Sequence, residues 1–198
     1  DQKTSFLNRF FFESLKNNRP FIKVKMAVSK DEKIARSDYS SKWISNVQSR
    51  AFAHKLRFKS QAILTTAKTI MKDNPRFTVR KNNLIIKYLP VIIIDNFLKI
   101  PLRSKLLKNI SNNRIIIFTS RKNKKYFILK KLGCEIHLLK QNISNELSLK
   151  VIMRKILLLN INDILVEAGG ILFTKLLSNS SHSNHVGSHP KLSALDLL

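Results

Sequence analysis

The sequence has 198 residues, one cysteine and a formal net charge of +25 at pH 7. This length is enough for one domain with a hydrophobic core. A single cysteine excludes an intramolecular disulfide and is typical of a reducing compartment, so we expect a cytoplasmic protein. The longest apolar runs are far below the ~20 residues that a membrane-spanning helix needs, and polar residues interrupt the apolar run near the N-terminus, unlike a signal peptide. We therefore expect no membrane partner.

The charge taken alone favours a nucleic acid or an anionic membrane surface as partner. The 37 lysines and arginines are spread along the whole chain, however, and no RNA- or DNA-binding signature accompanies them. Heavy use of Ile and Asn beside Lys indicates a compositional bias that would make a protein basic whatever its function. A basic nucleic-acid-binding α/β protein is kept as an alternative, which salt dependence would test because nucleic-acid binding weakens steeply with salt.

The predicted elements alternate between strands and helices. From Phe21 to Val28 apolar residues alternate with lysines, and a period of two residues marks a strand. The apolar run from Ala62 to Leu64 is typical of a buried strand, and Pro75 ends the helix that follows because proline lacks an N–H. The predicted strands are 21–28, 62–64, 91–95, 114–120, 134–139 and 163–168. The predicted helices are 47–58, 65–72, 122–132, 144–160 and 171–177, and residues 81–88 are predicted to be a solvated loop.

This alternation predicts one α/β domain with right-handed crossovers, a mostly parallel central sheet and helices on both faces. The continuous apolar strands agree, because parallel strands are buried on both faces. In open sheets of this kind ligands bind beyond the carboxyl ends of the strands. The polar residues Thr65, Thr66, Thr69, Asp73 and Arg80 are therefore expected to cluster at that edge.

The segment from Glu167 to Gly170 reads Glu-Ala-Gly-Gly, where the last predicted strand passes into a helix. Two glycines let backbone N–H groups approach a phosphate at a helix N-terminus, whose dipole favours anions. Most Gly-Gly pairs are simply turns, but the position after a buried strand and a carboxylate favours a phosphate site. Glu167 closes a buried strand and needs a partner there, or it costs stability. Asp73 has a plain structural interpretation, since Asp before Asn-Pro commonly caps a turn.

The stretch from Ala62 to Arg80 reads Ala-Ile-Leu-Thr-Thr-Ala-Lys-Thr-Ile-Met-Lys-Asp-Asn-Pro-Arg-Phe-Thr-Val-Arg. It resembles the reductase half of the bifunctional riboflavin-biosynthesis deaminase/reductase family. The resemblance extends without a gap from Arg19 to Arg80, and it resumes at Val91 to Asp95 and at Leu165 to Gly170. The order of these motifs is more specific than any one of them, and it implies a dihydrofolate-reductase-like fold.

The resemblance implies an oxidoreductase that needs no metal. Its reaction would be the NADPH-dependent reduction of 5-amino-6-(5-phosphoribosylamino)uracil to 5-amino-6-(5-phosphoribitylamino)uracil in riboflavin biosynthesis. The partners implied are the phosphorylated pyrimidine substrate and a separate deaminase that supplies it, because the deaminase's zinc-binding His/Cys signature is absent from this sequence. A homodimer stays open. An inactive remnant of the reductase is a second alternative, since Glu32 stands where the family usually has Gly.

The resemblance also implies which residues form the site. Those expected at the cofactor are Ala27, Trp43, Thr69, Asp73, Asn96, Gly169, Gly170, Ile171, Leu172, Phe173 and Thr174. Those expected at the substrate are Ser41, Arg57, Phe77, Arg80 and Glu167. Asp73 and Glu167 are the expected catalytic residues. Without the family, Ser41 and Trp43 would equally fit a helix N-cap and a core tryptophan, and His54 would be a surface or packed histidine.

The domain boundaries expected from the resemblance divide the chain into three parts. Residues 1–18 begin without a methionine and look like the connector that follows the deaminase half, and residues 19–178 are the reductase domain. The resemblance stops after Ser178, so residues 179–198 are expected to be a divergent, disordered tail. Its three histidines have a spacing that metal binding would also allow, but a disordered tail is favoured.

Overall fold

Helices and strands alternate along the chain in a computed structural model that describes residues 11–25 and 47–181. The elements are α1 (residues 11–17), β1 (Phe21–Val24), α2 (Val47–Phe58), β2 (Ala62–Thr66), α3 (Ala67–Asp73), β3 (Val79–Lys81), β4 (Leu84–Lys87), β5 (Val91–Ile94), α4 (Lys105–Lys108), a 3₁₀ turn (Ile110–Asn112), β6 (Ile115–Thr119), α5 (Lys124–Lys131), β7 (Glu135–Leu138), α6 (Leu149–Leu158), β8 (Asp163–Val166) and α7 (Gly170–Ser181).

Six of the strands form one sheet in the order β1–β8–β2–β5–β6–β7, and every neighbouring pair in it is parallel. Strands β2, β5, β6 and β8 are mostly Ile, Leu and Val and are almost entirely buried. Such continuous apolar strands suit the interior of a sheet that is covered on both faces. The predicted α/β domain with a mostly parallel sheet is confirmed.

Different helices cover the two faces of the sheet, because successive strand residues point to opposite faces. On one face, strand residues pack with α3, α4 and α5, through Ile70, Leu106, Leu107, Tyr126 and Leu129. On the other face, they pack with α6 and α7, through Ile152, Met153, Ile156 and Leu172. The neighbours β8 and β2 are thus followed by helices on opposite faces, and the carboxyl ends of such strands border the crevice in which open α/β sheets bind ligands.

The prediction of a solvated loop over residues 81–88 is wrong. Strands β3 and β4 form an antiparallel hairpin there, separate from the main sheet. The hairpin turns at Asn82 and Asn83, whose φ angles of 50° and 63° suit the two-residue turn that matches strand twist. The sequence of β4 shows no alternation of apolar and polar residues, because Leu84, Ile85 and Ile86 are consecutive apolar residues, all of them exposed.

Two element boundaries differ from the prediction because hydroxyl side chains cap the helices. Thr65 and Thr66 belong to β2 rather than to the helix, since Thr66 has extended backbone and caps α3 through its hydroxyl. Helix α6 begins at Leu149 rather than at Ser144, because Ser148 is its N-cap. Residues 141–148 form a turn region before it, closed by a bridge between residues 141 and 147.

The N-terminal elements lie at the edge of the sheet. Strand β1 ends at Val24, and the predicted continuation from residue 26 lies outside the described residues. Within the expected connector 1–18, residues 11–17 are helical, and the Ser14 hydroxyl donates to Asn162 Oδ1 at 3.2 Å just before β8. None of the helices in residues 11–25 and 47–181 is long and apolar enough to cross a membrane.

Candidate active site

Polar residues follow the carboxyl ends of the strands that border the crevice. The sheet ladder continues one residue beyond β1, β8 and β5, where the N–H groups of Lys25, Glu167 and Asp95 donate to neighbouring strands at 3.1, 2.9 and 2.9 Å. The main chain of these three residues is therefore fixed by the sheet. Lys25 and Glu167 lie side by side on adjacent strands, which is the geometry that brings charged side chains together at one edge.

The buried carboxylate of Glu167 forms a two-pronged ion pair with Arg57 of α2. Arg57 Nε donates to Glu167 Oε1 at 2.5 Å, and Nη2 donates to Oε2 at 2.8 Å. This matched fork is the strongest common geometry between a guanidinium and a carboxylate. Lys25 Nζ lies 3.7 Å from Oε2, and the side chains of Arg57 and Glu167 are only 13% and 9% exposed. The partner that a buried carboxylate requires is thus Arg57.

Opposing effects set the charge of Glu167. Burial alone would raise the pKa of its carboxyl, but the hydrogen bonds and charge of Arg57, with smaller contributions from Lys25 and His54, hold that pKa below its usual range. Glu167 is therefore a carboxylate at neutral pH. The resemblance places Arg57 and Glu167 separately at the substrate, whereas in this structure they bind each other.

The threonines of the stretch that follows α2 form hydrogen bonds within the protein. Thr65 Oγ1 donates to the Glu167 carbonyl at 2.7 Å, which fastens β2 to the end of β8. The hydroxyls of Thr66 and Thr69 lie 3.0 Å apart at the start of α3. Asp73 lies at the other end of this helix, so the cluster expected at the strand ends does not include it. The Asp73 side chain is exposed and bonds to no residue in the described ranges.

The segment between α3 and β3 contacts the side chain of Arg57. Phe77 is buried with a φ of 53°, and its ring centre lies 5.8 Å from the Arg57 guanidinium carbon. Arg57 Nη1 also donates to the Thr78 carbonyl at 3.1 Å, and the Arg80 N–H donates to His54 Nδ1 at 3.1 Å. Arg57, Phe77 and Glu167 therefore form one cluster, and the exposed Arg80 follows directly along the chain.

Sequence reasoning missed two residues that adjoin this cluster, Lys25 and His54. Lys25 lies inside the predicted strand 21–28, and it reaches the carboxyl edge because β1 ends at Val24, so the sequence pattern gave no signal for it. His54 lies three residues before Arg57, and residues at this spacing share one helix face. The signal was present, but only the hairpin that packs on this face gives His54 a partner.

Asn96 fastens a loop to the same edge of the sheet. Its side-chain amide donates to the Asn145 carbonyl at 2.7 Å, and its Oδ1 accepts from Gln141 Nε2 at 3.0 Å. The Asn96 carbonyl accepts from the N–H and the hydroxyl of Ser120, which follows β6. Asn96 therefore has a structural role beyond the cofactor contact expected of it, and that contact stays a prediction.

The turn into α7 leaves open space beside Gly169. Within residues 11–25 and 47–181, no heavy atom beyond its chain neighbours lies within 4 Å of the position that a Cβ would occupy there. The Leu172 side chain is buried in the core, so only its backbone could face a ligand. Ile171 is exposed, and the Thr174 hydroxyl donates to the Gly170 carbonyl within the helix. An anion at this helix N-terminus would meet backbone and free space.

Residues 20–181 of this chain match the RibD C-terminal domain family. The chain belongs to this family. Two similar proteins are riboflavin biosynthesis proteins RibD. The one from Aquifex aeolicus is 35% identical over 178 residues, which are 89% of this chain and 48% of that protein. The one from Actinobacillus pleuropneumoniae is 30% identical over 188 residues, 94% of this chain and 49% of that protein. This RibD C-terminal domain thus spans about half the length of these relatives.

Solved structures show the same fold. Acinetobacter baumannii RibD superposes with a TM-score of 0.73 at 24% identity, over 89% of this chain and 47% of that one. A Thermotoga maritima deaminase/5-amino-6-(5-phosphoribosylamino)uracil reductase gives 0.68 at 26% identity, over 90% and 47%. The Saccharomyces riboflavin biosynthesis reductase Rib7 gives 0.60 at 19% identity, over 83% and 69%. The fold implied by the resemblance is confirmed.

Some expected site residues of this RibD C-terminal domain cannot be placed. Ala27, Ser41 and Trp43 lie outside the described residues, as does Glu32. Within residues 11–25 and 47–181, no three His, Cys, Asp or Glu side chains are grouped so as to hold a metal ion. The candidate active site is the cluster of Arg57, Glu167 and Lys25 beside the open turn at Gly169, because these charged side chains meet at the carboxyl edge of the sheet.

Proposed function

We propose that this RibD C-terminal domain catalyses the NADPH-dependent reduction of 5-amino-6-(5-phosphoribosylamino)uracil to 5-amino-6-(5-phosphoribitylamino)uracil in riboflavin biosynthesis. The family match supports this reaction, as do the names of two structural relatives, one called a reductase of this compound and one a riboflavin biosynthesis reductase. One observation carries it in this chain: a buried carboxylate and two cations lie at a sheet edge next to an open, glycine-lined helix N-terminus.

The turn into α7 fits a dinucleotide. A pyrophosphate needs free N–H groups, close backbone approach and a favourable dipole, and the space beside Gly169 at the start of the twelve-residue α7 meets these needs. NADPH, when bound, supplies a hydride for the anomeric carbon of the ring-opened imine of the substrate. Backbone of residues 169–174 would hold its phosphates. Ala27, Trp43, Thr69, Asp73 and Asn96 are proposed as further contacts.

The arginine and carboxylate cluster suits the sugar and pyrimidine of the substrate. Arg57 uses three of its five N–H groups with residues that the structure describes, and we propose that the other two bind a ligand. Glu167, held ionised, accepts hydrogen bonds from substrate hydroxyl or amide groups. Ser41, Phe77 and Arg80 are proposed to complete the substrate site. The protein's task is then to align two ligands and to manage one proton, with Asp73 and Glu167 as the proposed catalytic residues.

The remaining expectations from the resemblance belong to the same proposal. A separate deaminase would supply the substrate, and residues 19–178 would form the reductase domain between the connector 1–18 and the tail 179–198. The structure shows that α7 runs three residues past this boundary, to Ser181.

The test is oxidation of NADPH, followed by its absorbance, with the deaminated pyrimidine substrate. We expect turnover that requires both ligands, with little change in NADPH binding between low and moderate salt, since a pocket is less salt-sensitive than a nucleic-acid interface. Reactions without substrate, and with the aminated precursor instead, serve as controls. A pure, folded protein that never oxidises NADPH would support the inactive remnant and overturn the proposal.

Replacing Gly169 by aspartate is expected to change stability and cofactor affinity in opposite directions. Aspartate before the first helical residue caps a helix better than glycine and favours its dipole, so the free energy of unfolding should hold or rise by up to about 1 kcal/mol. The added carboxylate would lie where phosphates are proposed, so the Kd for NADPH should rise by about tenfold to a hundredfold. Fluorescence titration with NADPH and urea unfolding measure the two effects.

Gly169→Asn is the matched control for this charge. Asparagine has the size and capping ability of aspartate without its charge. It should therefore bind NADPH more tightly than the aspartate variant. Equal affinities for Gly169→Asp, Gly169→Asn and the parent protein would show that no anion binds at this turn.

A further inference from the structure

Helix α2 holds the backbone of the β3 segment with two side chains. His54 Nδ1 accepts from the Arg80 N–H, and Arg57 Nη1 donates to the Thr78 carbonyl, each at 3.1 Å. In extended backbone the carbonyl of one residue and the N–H two residues later point to the same side. One face of α2 therefore offers an acceptor and a donor in the pattern of a neighbouring strand.

The segment depends on this support because its hairpin is isolated. In the part of the chain that the structure describes, strands β3 and β4 pair only with each other, and their register shifts between Val79 and Arg80. A bulge of this kind releases a backbone group from the ladder and redirects the next side chain. Two-stranded hairpins are marginally stable alone. The extra residue of this bulge, Ile86, lies on β4, and next to the register shift the Arg80 N–H donates to His54 of α2 rather than to β4.

The hydrogen bond requires an uncharged His54. A ring nitrogen that accepts an N–H carries no proton, whereas both ring nitrogens of an imidazolium are donors. Among the residues described, the charged groups that face His54 are Arg57 on its own helix, Arg80 on β3 and Glu167 after β8. Burial, then Arg57 and Arg80, lower the pKa of His54, against weaker opposite effects of Glu167 and the Thr78 carbonyl. Near neutral pH the ring is therefore the acceptor that this geometry needs.

We propose that His54 is a positioning residue, which acts as an uncharged acceptor that holds the main chain of Arg80 and thereby places the Arg80 guanidinium for the pyrimidine substrate. The inference rests on the proposed function, in which Arg80 binds substrate. Protonation of His54 removes the acceptor and releases the Arg80 N–H. The substrate site then loosens in acid, while the cofactor turn at α7, on another element, does not.

Two variants separate the effect of the hydrogen-bond acceptor of His54 from the effect of its aromatic ring. His54→Phe keeps an aromatic ring but has no acceptor, and His54→Asn places an amide oxygen near the position of Nδ1 without a group that titrates. We expect His54→Phe to raise the KM for the pyrimidine about fivefold, the value of one neutral hydrogen bond. The KM for NADPH and kcat should be unchanged. His54→Asn should stay within about twofold of the parent protein at neutral pH.

The pH dependence of the KM for the pyrimidine tests the proposal, because a purely structural role of His54 would not change it. Between about pH 7.5 and about pH 5, the parent's KM for the pyrimidine should rise as His54 protonates. His54→Asn should lack this extra rise. The substrate phosphate also titrates near pH 6, but it does so equally in both proteins, so the ratio of their KM values isolates His54. A constant ratio, or an unchanged KM in a folded His54→Phe variant, would overturn the proposal.

Hydrogen exchange of the Arg80 amide without ligands tests the first step independently of activity. We expect slower exchange in the parent and in His54→Asn than in His54→Phe at neutral pH. If His54→Phe fails to fold, the comparison of His54→Asn with the parent across pH still decides. If the parent protein turns over no substrate, the proposed function fails, while equal exchange in all three proteins would show that His54 does not hold this backbone.

Discussion

Replacing Arg57 by methionine is expected to lower the free energy of unfolding by about 3 to 5 kcal/mol, because it leaves a buried carboxylate without its hydrogen-bonded cation. Glu167 is 8% exposed, and Arg57 donates to both of its oxygens. Lys25, 3.7 Å away, would offset part of the loss. Urea unfolding at neutral pH measures the effect, provided that the slope with urea is unchanged.

The stability lost in Arg57→Met should depend on pH, because the ion pair needs an ionised Glu167. In the parent protein the pKa of Glu167 is lowered, so the pair's stabilisation is present above the usual glutamate pKa and is lost as the pH falls through the lowered value. Without Arg57, burial would raise that pKa instead, and Glu167 would protonate first. The deficit of Arg57→Met should therefore shrink towards about pH 4. An equal deficit at neutral and acidic pH would mean that the ion pair is not its source.

The double variant Arg57→Met/Glu167→Leu is expected to lose about a hundredfold or more in kcat/KM while its stability returns close to that of the parent. Replacing both members of a buried pair by apolar residues is often neutral for stability. The charge-assisted hydrogen bonds to substrate, worth roughly 1.5 to 3 kcal/mol each, would still be lost. NADPH oxidation measures kcat/KM, and titration with NADPH should show an unchanged Kd.

A second ion pair of this sheet provides the matched control. Lys23 and Asp163 pair at 2.6 Å between β1 and β8, with side chains 18% and 7% exposed. Asp163 is the first residue of β8, whereas Glu167 follows the last one, so this pair lies at the opposite end of the strand. Lys23→Met/Asp163→Leu should therefore keep the kcat/KM of the parent. Similar activity in both double variants would make the Arg57 pair structural only, and the substrate site would have to be sought elsewhere.

The sequence by itself determined the layers of this protein and the edge where its site lies. Continuous apolar runs predicted the buried parallel strands, and Glu167, which closes one of them, was expected at the passage from strand to helix, whereas Asn96 was expected only from the family resemblance. Gly169 was expected at a ligand-facing turn, and the structure leaves open space there. These features follow from local chemistry: a period of two or of 3.6 residues, a cap, or a residue without Cβ.

Only the tertiary structure decided which side chains meet. Arg57 and Glu167 are 110 positions apart, and they pair because β8 inserts between β1 and β2, an order that no local pattern encodes. The hydrogen bond from Arg80 to His54 was missed for the same reason, whereas the hairpin at Asn82 was missed because consecutive apolar residues hid its period of two. Periodicity records which face of an element is buried, whereas an ion pair or a single acceptor depends on the distance between two elements, and that distance is set only when the whole sheet has formed.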